Sequence, residues 1–225
     1  MTQRARETPL DAELDRRRDV RMLHHVNERP VVIANLAYLS VFTVIAWRHS
    51  NHEFLLYAAV VIVLVAVLYR FQHRLRLDRT VLWGLTLWGL LHMAGGNLRV
   101  HGDVLYGFQL IPVALRYDQW VHFLGFGVAT LACHQWLGRH LRDPSAFGAG
   151  VAALVVLLGC GLGALNEVLE FLAVKIMPET GVGGYENTIW DLVFNLLGAL
   201  AAAAWIALRA RGQRMARQSE CTSAA

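Results

Sequence analysis

The chain has 225 residues, of which 56% are hydrophobic and 17% charged, with a mean hydropathy of +0.39. This composition is too apolar for an ordinary water-soluble domain and predicts an all-α transmembrane helical bundle. The net charge of +4 does not indicate a nucleic-acid partner, because the arginines lie mostly between or outside the apolar runs. The three cysteines form no disulfide framework.

Apolar runs define the predicted helices in chain order. Residues 1–29 are too long and too charged for the start of a signal peptide, and we interpret them as a cytoplasmic tail. Residues 30–210 form the predicted six-helix transmembrane domain, and residues 211–225 a cytoplasmic C-terminal tail. The six runs long enough to cross about 30 Å of hydrocarbon are Val31–Trp47, Phe54–Tyr69, Thr80–Gly95, Gln119–Leu137, Phe147–Ala173 and Thr188–Leu208.

The distribution of basic residues predicts the orientation. Arginines are frequent in the N-terminal tail, in residues 70–79, in residues 139–142 and in the C-terminal tail. The alternate loops contain few basic residues, and cytoplasmic loops carry the excess of lysine and arginine. We therefore predict a multi-pass protein of the bacterial inner membrane with both termini in the cytoplasm. The outward-facing loops are residues 48–52, 97–117 and 175–187.

Two further features concern packing and the outer surface. Gly159 and Gly163, like Gly198 and Ala202, have the four-residue spacing that lets membrane helices approach closely. We interpret these residues as packing contacts. The long loop 97–117 is partly apolar, and two interpretations are open. It lies along the outer interface with its aromatic residues at headgroup depth, or it is an ordinary surface loop. The aromatic residues concerned are Tyr106, Phe108 and Tyr117.

Polar side chains lie near the predicted outward ends of four helices. A carboxylate within hydrocarbon costs about 2.5–3.5 kcal/mol on insertion scales, so these residues need an explanation. Spacings of three or four residues place each pair on one helix face, which favours a shared, inward-facing polar cluster. The alternative is that the acids merely complement helix dipoles. The residues are His92, the pair Asp118 and His122, the pair Glu167 and Glu170, and the pair Asp191 and Asn195.

Three segments resemble a known family. The segments "LWGLLHMAGGNLRVH", "RYDQWVHFLGFGVA" and "GYENTIWDLVFNLLGALAA" resemble successive blocks of YjdF-type bacterial inner-membrane proteins. The resemblance covers roughly residues 85–205, and the last two blocks are also similar to VanZ-like proteins. Asn195 departs from the YjdF-type pattern and matches the VanZ-like one more closely.

The resemblance implies only a limited function. YjdF-type proteins have no settled activity, whereas VanZ-like proteins are associated with glycopeptide resistance. VanZ-like proteins have been proposed to belong with membrane enzymes of lipid metabolism that act on headgroups, phosphatidylserine synthases among them. That matching implies an active site composed of Asp118, His122, Glu167, Glu170, Asp191 and Asn195.

The residue types themselves suggest acid–base or metal chemistry. His122 is the natural general acid or base, and Asp118 or Glu167 can orient it. We expect these three and Asp191 to be catalytic. The same set can instead hold a divalent cation through oxygen ligands, with Glu167, Glu170 and Asp191 as the metal ligands. The expected substrate-binding residues are His92, Arg116, Glu170, Tyr185 and Asn195.

Two classes of function follow. The first is an enzyme, a metal-assisted transferase or hydrolase that acts on the phosphodiester of a phospholipid or polyprenyl-phosphate headgroup. The second is a non-enzymatic transporter or lipid-binding resistance protein. Transporters place polar groups at the bilayer midplane, often between inverted repeats. The polar residues here lie at one end and no repeat is evident, which favours chemistry at the membrane surface with membrane lipids as partners. The sequence does not indicate an oligomeric state.

Overall fold

Six α-helices form the framework of the part of the chain that the structure describes. The structure, a computed structural model, describes residues 28–141, 147–177 and 180–223. Most of the predicted N-terminal tail, together with Arg142, lies outside these residues. The helices confirm the all-α prediction. They are α1 (Arg29–Arg48), α2 (His52–Leu75), α3 (Arg79–Asn97), α4 (Tyr117–Leu137), α5 (Ala149–Ile176) and α6 (Tyr185–Ser223).

Four of the described helices are long and apolar enough to cross a membrane. They are Arg29–Arg48, His52–Leu75, Ala149–Ile176 and Tyr185–Gln213. Helices α3 and α4 are long enough, at 19 and 21 residues, but glycines and polar residues reduce their hydropathy. Helix α4 also packs against three other helices, which lowers its need for a lipid-compatible surface. The chain is therefore a multi-pass membrane protein, while six crossings and cytoplasmic termini stay predictions.

Local sequence signals explain where the helices begin and end. Asn51 caps α2 by accepting a hydrogen bond from the Phe54 amide, and Asp78 caps α3 in the same way through Val81. Asp78 also accepts a hydrogen bond from the Gln135 amide group at 2.6 Å, which joins α3 to α4 at the end opposite the polar cluster. Helix α6 continues through the predicted C-terminal tail, because alanine, arginine, glutamine and methionine in that segment favour helix.

Small residues allow α4, α5 and α6 to pack closely. The buried residues of α5 include Gly159 and Gly163, and those of α6 include Gly198 and Ala202. A Cβ atom on Gly163 would lie only 2.6 Å from the amide nitrogen of Asn195, so this glycine makes room for that side chain. A Cβ atom on Gly198 would overlap the carbonyl oxygen of Phe123 on α4. These glycines therefore make the packing contacts that their spacing predicts.

The loop between α3 and α4 folds over the end of the bundle that the sequence predicts to face outward. It contains two antiparallel ribbons, β1 (Arg99–Val100) with β2 (Asp103–Val104), and β3 (Gln109–Ile111) with β4 (Leu115–Arg116). Between them, Tyr106 lies inward, with its hydroxyl 2.6 Å from Nδ1 of His92. Tyr117 is also buried and donates to the Leu91 carbonyl at 3.0 Å, whereas Phe108 is exposed. Both hydroxyls have partners inside the bundle, and the headgroup depth of the loop stays a prediction.

Candidate functional site

Helix ends bring the predicted polar residues to one end of the bundle. Asp118 and His122 lie in the first turns of α4, and Asp191 and Asn195 lie in the first turns of α6. The antiparallel neighbours α3 and α5 end at the same level, where they supply His92, Glu167 and Glu170. We call the four most buried of these residues, His122, Glu167, Asp191 and Asn195, the buried cluster.

His122 lies at the centre of the buried cluster. Its Nδ1 atom is 3.0 Å from Oδ1 of Asn195. An amide oxygen only accepts hydrogen bonds, so this amide orientation corresponds to the tautomer with the proton on Nδ1, in which Nε2 of a neutral ring is an acceptor. The same orientation leaves the buried amide nitrogen of Asn195 without a partner among the described residues. Yet Nε2 faces two carboxylates, Asp118 Oδ1 at 3.6 Å and Asp191 Oδ1 at 3.9 Å. Acceptors face acceptors here, which requires a proton or a cation between them.

Two acids of the buried cluster have oxygen atoms without a protein partner. Among the described residues, neither carboxylate oxygen of Glu167 accepts a hydrogen bond, and neither does Oδ1 of Asp191. Both side chains are almost inaccessible, since Glu167 is 8% exposed and Asp191 is 1% exposed. Burying a charge without a partner is costly, so stable folding requires that these acids be protonated or lie beside a positive ligand.

The arrangement fits a divalent cation. Within the described part of the chain, two sets of side chains have ligand atoms within 4.8 Å of one another, and His122 belongs to both. Carboxylate oxygens and an imidazole nitrogen are suitable ligands for ions such as Mn²⁺ or Zn²⁺. The first set is Asp118, His122 and Asp191, and the second is His122, Glu167 and Glu170.

A cavity of about 650 Å³ leads from the outer surface to this end of the bundle. Asp118 and Glu170 line it, while the buried cluster lies behind them. Asn187 joins the two layers: its amide nitrogen donates to Asp191 Oδ2 at 2.6 Å and is 3.3 Å from Asp118 Oδ2. The volume is in the range of small-molecule sites, so the cavity can admit a headgroup-sized ligand beside the acids.

The structure separates the predicted substrate-binding residues into two groups. His92 and Arg116 line the cavity, as does Glu170, and Asn195 lies in the buried cluster. Tyr185 does not belong with them. It is 82% exposed at the first residue of α6 and is not among the described residues that line the cavity. Tyr185 lies on a face of α6 that points to the surface, and the spacing of residues in the sequence does not reveal this orientation.

Three polar residues near the site were not predicted. Glu53, in the first turn of α2, is buried and accepts a hydrogen bond from the Gly181 amide at 2.6 Å. Asn187 precedes Asp191 by one helical turn, and Asn166 donates to Glu170 Oε1 at 2.8 Å. The four-residue spacings Asn187–Asp191 and Asn166–Glu170 were signals available in the sequence. Glu53 looked like an ordinary first-turn acid.

Comparisons with known proteins assign no activity, and one of them indicates a membrane protein. A family model described as a predicted membrane protein (DUF2238) matches residues 30–212. An uncharacterized protein of Thermotoga maritima is 34% identical over 88 residues, which is 39% of this chain. This alignment covers 45% of that relative, so the chain spans less than half of its length. No solved structure matches the chain.

Proposed function

The chain belongs to the DUF2238 family of predicted membrane proteins, and from this premise we propose a membrane-embedded enzyme that acts on lipid headgroups. The reaction is metal-assisted transfer or hydrolysis of a headgroup phosphodiester. The observation that carries the proposal is the pair Glu167 and Asp191, buried acids in which both oxygens of Glu167 and Oδ1 of Asp191 accept no hydrogen bond from a described residue. One of the segments that resemble YjdF-type and VanZ-like proteins contains Asp191, and Glu167 lies on the helix between two of these segments, which supports the proposal.

The charge of the site makes a cation necessary for this function. Acidic side chains line the cavity and lie behind it, and a phosphodiester is itself an anion. Two like charges about 4 Å apart repel by about 4 kcal/mol at an effective dielectric constant of about 20. A cation bound by Asp118, His122 and Asp191 would reverse this repulsion and polarise a phosphoryl oxygen. The cavity would then attract the phosphate of a headgroup.

The side chains can divide the remaining tasks. If Nε2 of His122 binds a cation, the same atom cannot accept a proton, so another base is needed. Glu170 lines the cavity and is positioned by Asn166, which makes it the acid–base candidate. Asn195 accepts from Nδ1 of His122 and fixes the ring orientation, as outer hydrogen bonds do for metal-binding histidines. Arg116 lines the cavity and can bind phosphate oxygens.

The test is lipid turnover by the full-length protein in nanodiscs made from bacterial polar lipids. Mass spectrometry should show altered headgroups in the presence of Mn²⁺ or Zn²⁺ and loss of this change with a chelator. We expect His122→Ala and Asp191→Asn to lower turnover by about a hundredfold or more while the helices remain folded. An exposed acid in the loop, Asp103→Asn, is the matched control.

Two outcomes would contradict the enzyme. If these variants change no lipid but abolish movement of an ion or solute across a vesicle membrane, the protein is a transporter. If they only lower the melting temperature, the buried cluster is structural.

A further inference from the structure

One wall of the cavity differs from the acidic cluster, because aromatic rings cover it. Phe54 and Tyr57 on α2 lie with ring centroids 5.3 Å apart, and Tyr57 lies 5.4 Å from His92 on α3. Tyr106, from the loop, lies 5.9 Å from His92 and 6.1 Å from Phe54. All four side chains line the cavity. These contacts form a continuous aromatic wall with its polar atoms at the edges.

The aromatic wall is accompanied by acids and by a hydroxyl without a well-formed hydrogen bond. Tyr57 is 8% exposed, and its hydroxyl lies close enough to the Glu53 carboxylate to interact with it, although outside ordinary hydrogen-bond geometry for any described residue. Glu53 is equally buried, and its Oε2 atom is held by the Gly181 amide at 2.6 Å. Glu170, on α5, lines the same cavity as Tyr57 and Glu53. A buried, unsatisfied hydroxyl beside held carboxylates indicates that a ligand supplies the missing contact.

The chemistry of this wall favours an organic cation over a metal ion. Hard metal ions prefer a shell of oxygen ligands or water, whereas aromatic faces attract ammonium groups by cation–π interaction. The carboxylates of Glu53 and Glu170 would attract the positive charge of an ammonium group, and the Tyr57 hydroxyl can accept a hydrogen bond from one of its N–H groups. Burial raises the pKa of Tyr106 well above its ordinary value, so its hydroxyl stays neutral and keeps its contact with His92.

Cationic side chains line another part of the same cavity. Arg99 and Arg116 are both exposed cavity-lining residues, and Arg116 immediately precedes α4, the helix that carries Asp118. Their guanidinium groups suit a phosphate. The cavity therefore offers complementary surfaces to both charges of a molecule that contains a phosphate and an ammonium group.

We propose that Glu53, Tyr57 and Glu170, with the aromatic wall, form a subsite for the ammonium group of an amine-bearing phosphate headgroup. This inference rests on the proposed function, since it names the substrate class of that site. The ammonium group lies between the acids and the rings, and the phosphate lies toward Arg116 and the buried cluster. A lipid headgroup and a soluble phosphoamine share this chemistry, and the experiment distinguishes these two sources.

The experiment measures binding by calorimetry with purified full-length protein in detergent micelles. The probes are short-chain phosphatidylethanolamine, short-chain phosphatidylglycerol with the same acyl chains, and free phosphoethanolamine. We expect about tenfold tighter binding of phosphatidylethanolamine than of phosphatidylglycerol, as one cation–π and ion-pair subsite would give. Glu53→Gln and Tyr57→Leu should reduce this ratio to near one, while Asp103→Asn should preserve it. Tyr57→Phe, which keeps the ring, should reduce the ratio less than Tyr57→Leu does.

Equal affinity of the wild-type protein for the two lipids would overturn the subsite, as would an unchanged ratio in folded Glu53→Gln and Tyr57→Leu variants. If free phosphoethanolamine binds as tightly as the lipid, the ammonium subsite stands and its ligand is a soluble phosphoamine. The cation is assayed separately by Mn²⁺ titration of the wild type and Asp191→Asn. Failure of Mn²⁺ to bind would contradict the proposed function, whereas headgroup preference would still report on the subsite.

Discussion

Two buried polar groups in this bundle have opposite hydrogen-bonding states. Between α1 and α3, the Asn35 amide donates to the Val31 carbonyl and to the Thr86 hydroxyl, and it accepts from the Tyr38 hydroxyl. Thr86 in turn donates to the Leu82 carbonyl. In the buried cluster between α4, α5 and α6, by contrast, oxygens of Glu167 and Asp191 accept from no described residue. Both groups are buried, but only the first is complete within the protein.

The difference separates a structural role from a ligand-binding role. The Asn35 network contains neutral groups, each with a partner, and this is what interhelical polar contacts in membranes require. The buried cluster contains acids that face one another and the acceptor nitrogen of His122. Partly satisfied polar clusters are costly and are retained at functional sites. The first region therefore holds helices together, while the second contains acid oxygens that accept no hydrogen bond from the described residues.

The largest expected effect on stability is that of a substitution at Gly198, between α4 and α6, compared with the same substitution at Gly89, beside the Asn35 network. A Cβ atom on Gly198 would overlap the Phe123 backbone carbonyl, which cannot move without shifting α4. On Gly89, the new atom would overlap the hydroxyl oxygen of Tyr38, which is the far end of a side chain and can shift at the expense of its hydrogen bond to Asn35. We expect Gly198→Ala to lower the free energy of unfolding by about 3 kcal/mol, and Gly89→Ala by about 1 kcal/mol. Titration with SDS in mixed micelles, followed by circular dichroism, measures both values.

Equal losses for the two alanine variants would show that α4 and α6 can separate as easily as the Tyr38 side chain can shift. The close approach of those helices would then not be what positions Asn195 and Asp191.

The helices and the depth of the site were predictable because both depend on features visible along the chain. The length of an apolar run predicts a membrane helix, and a polar residue near the end of the run predicts a position near that end of the bundle. Asp118 and Asp191 were identified in this way. Which face a terminal residue presents depends on helix packing, so the exposed position of Tyr185 could not be predicted from the sequence. The inward path of the loop that brings Tyr106 onto His92 depends on tertiary contacts that no spacing encodes.

A second prediction tests directly whether the acids of the buried cluster need a positive partner. In chelator, Glu167→Gln should raise the free energy of unfolding by about 2 kcal/mol, because it removes a buried acid that lacks a protein partner in the described chain. Adding Mn²⁺ should stabilise the wild type, since a ligand that binds only the folded state shifts the equilibrium. Mn²⁺ should stabilise the Glu167→Gln variant less than it stabilises the wild type. Glu186→Gln, at an exposed acid in the first turn of α6, is the matched control for a change of charge alone.

A loss of stability for Glu167→Gln in chelator would reverse this interpretation. It would mean that the Glu167 carboxylate already contributes a favourable interaction, as Asn35 does, and that both polar regions are structural.

The smallest expected effect is in the Asn35 network. Asn35→Ala removes hydrogen bonds to Thr86 and Tyr38, and we expect a loss of about 1 kcal/mol, in the range measured for single interhelical polar contacts in membranes. The variant should bind Mn²⁺ and headgroups like the wild type, because α1 contributes no residue to the described lining of the cavity. Mn²⁺ titration and SDS unfolding of the same preparation test both expectations. If Asn35→Ala weakens Mn²⁺ binding tenfold or more, the two regions are coupled through α3, which carries both Thr86 and His92. The Asn35 network would then also contribute to ligand binding by the buried cluster.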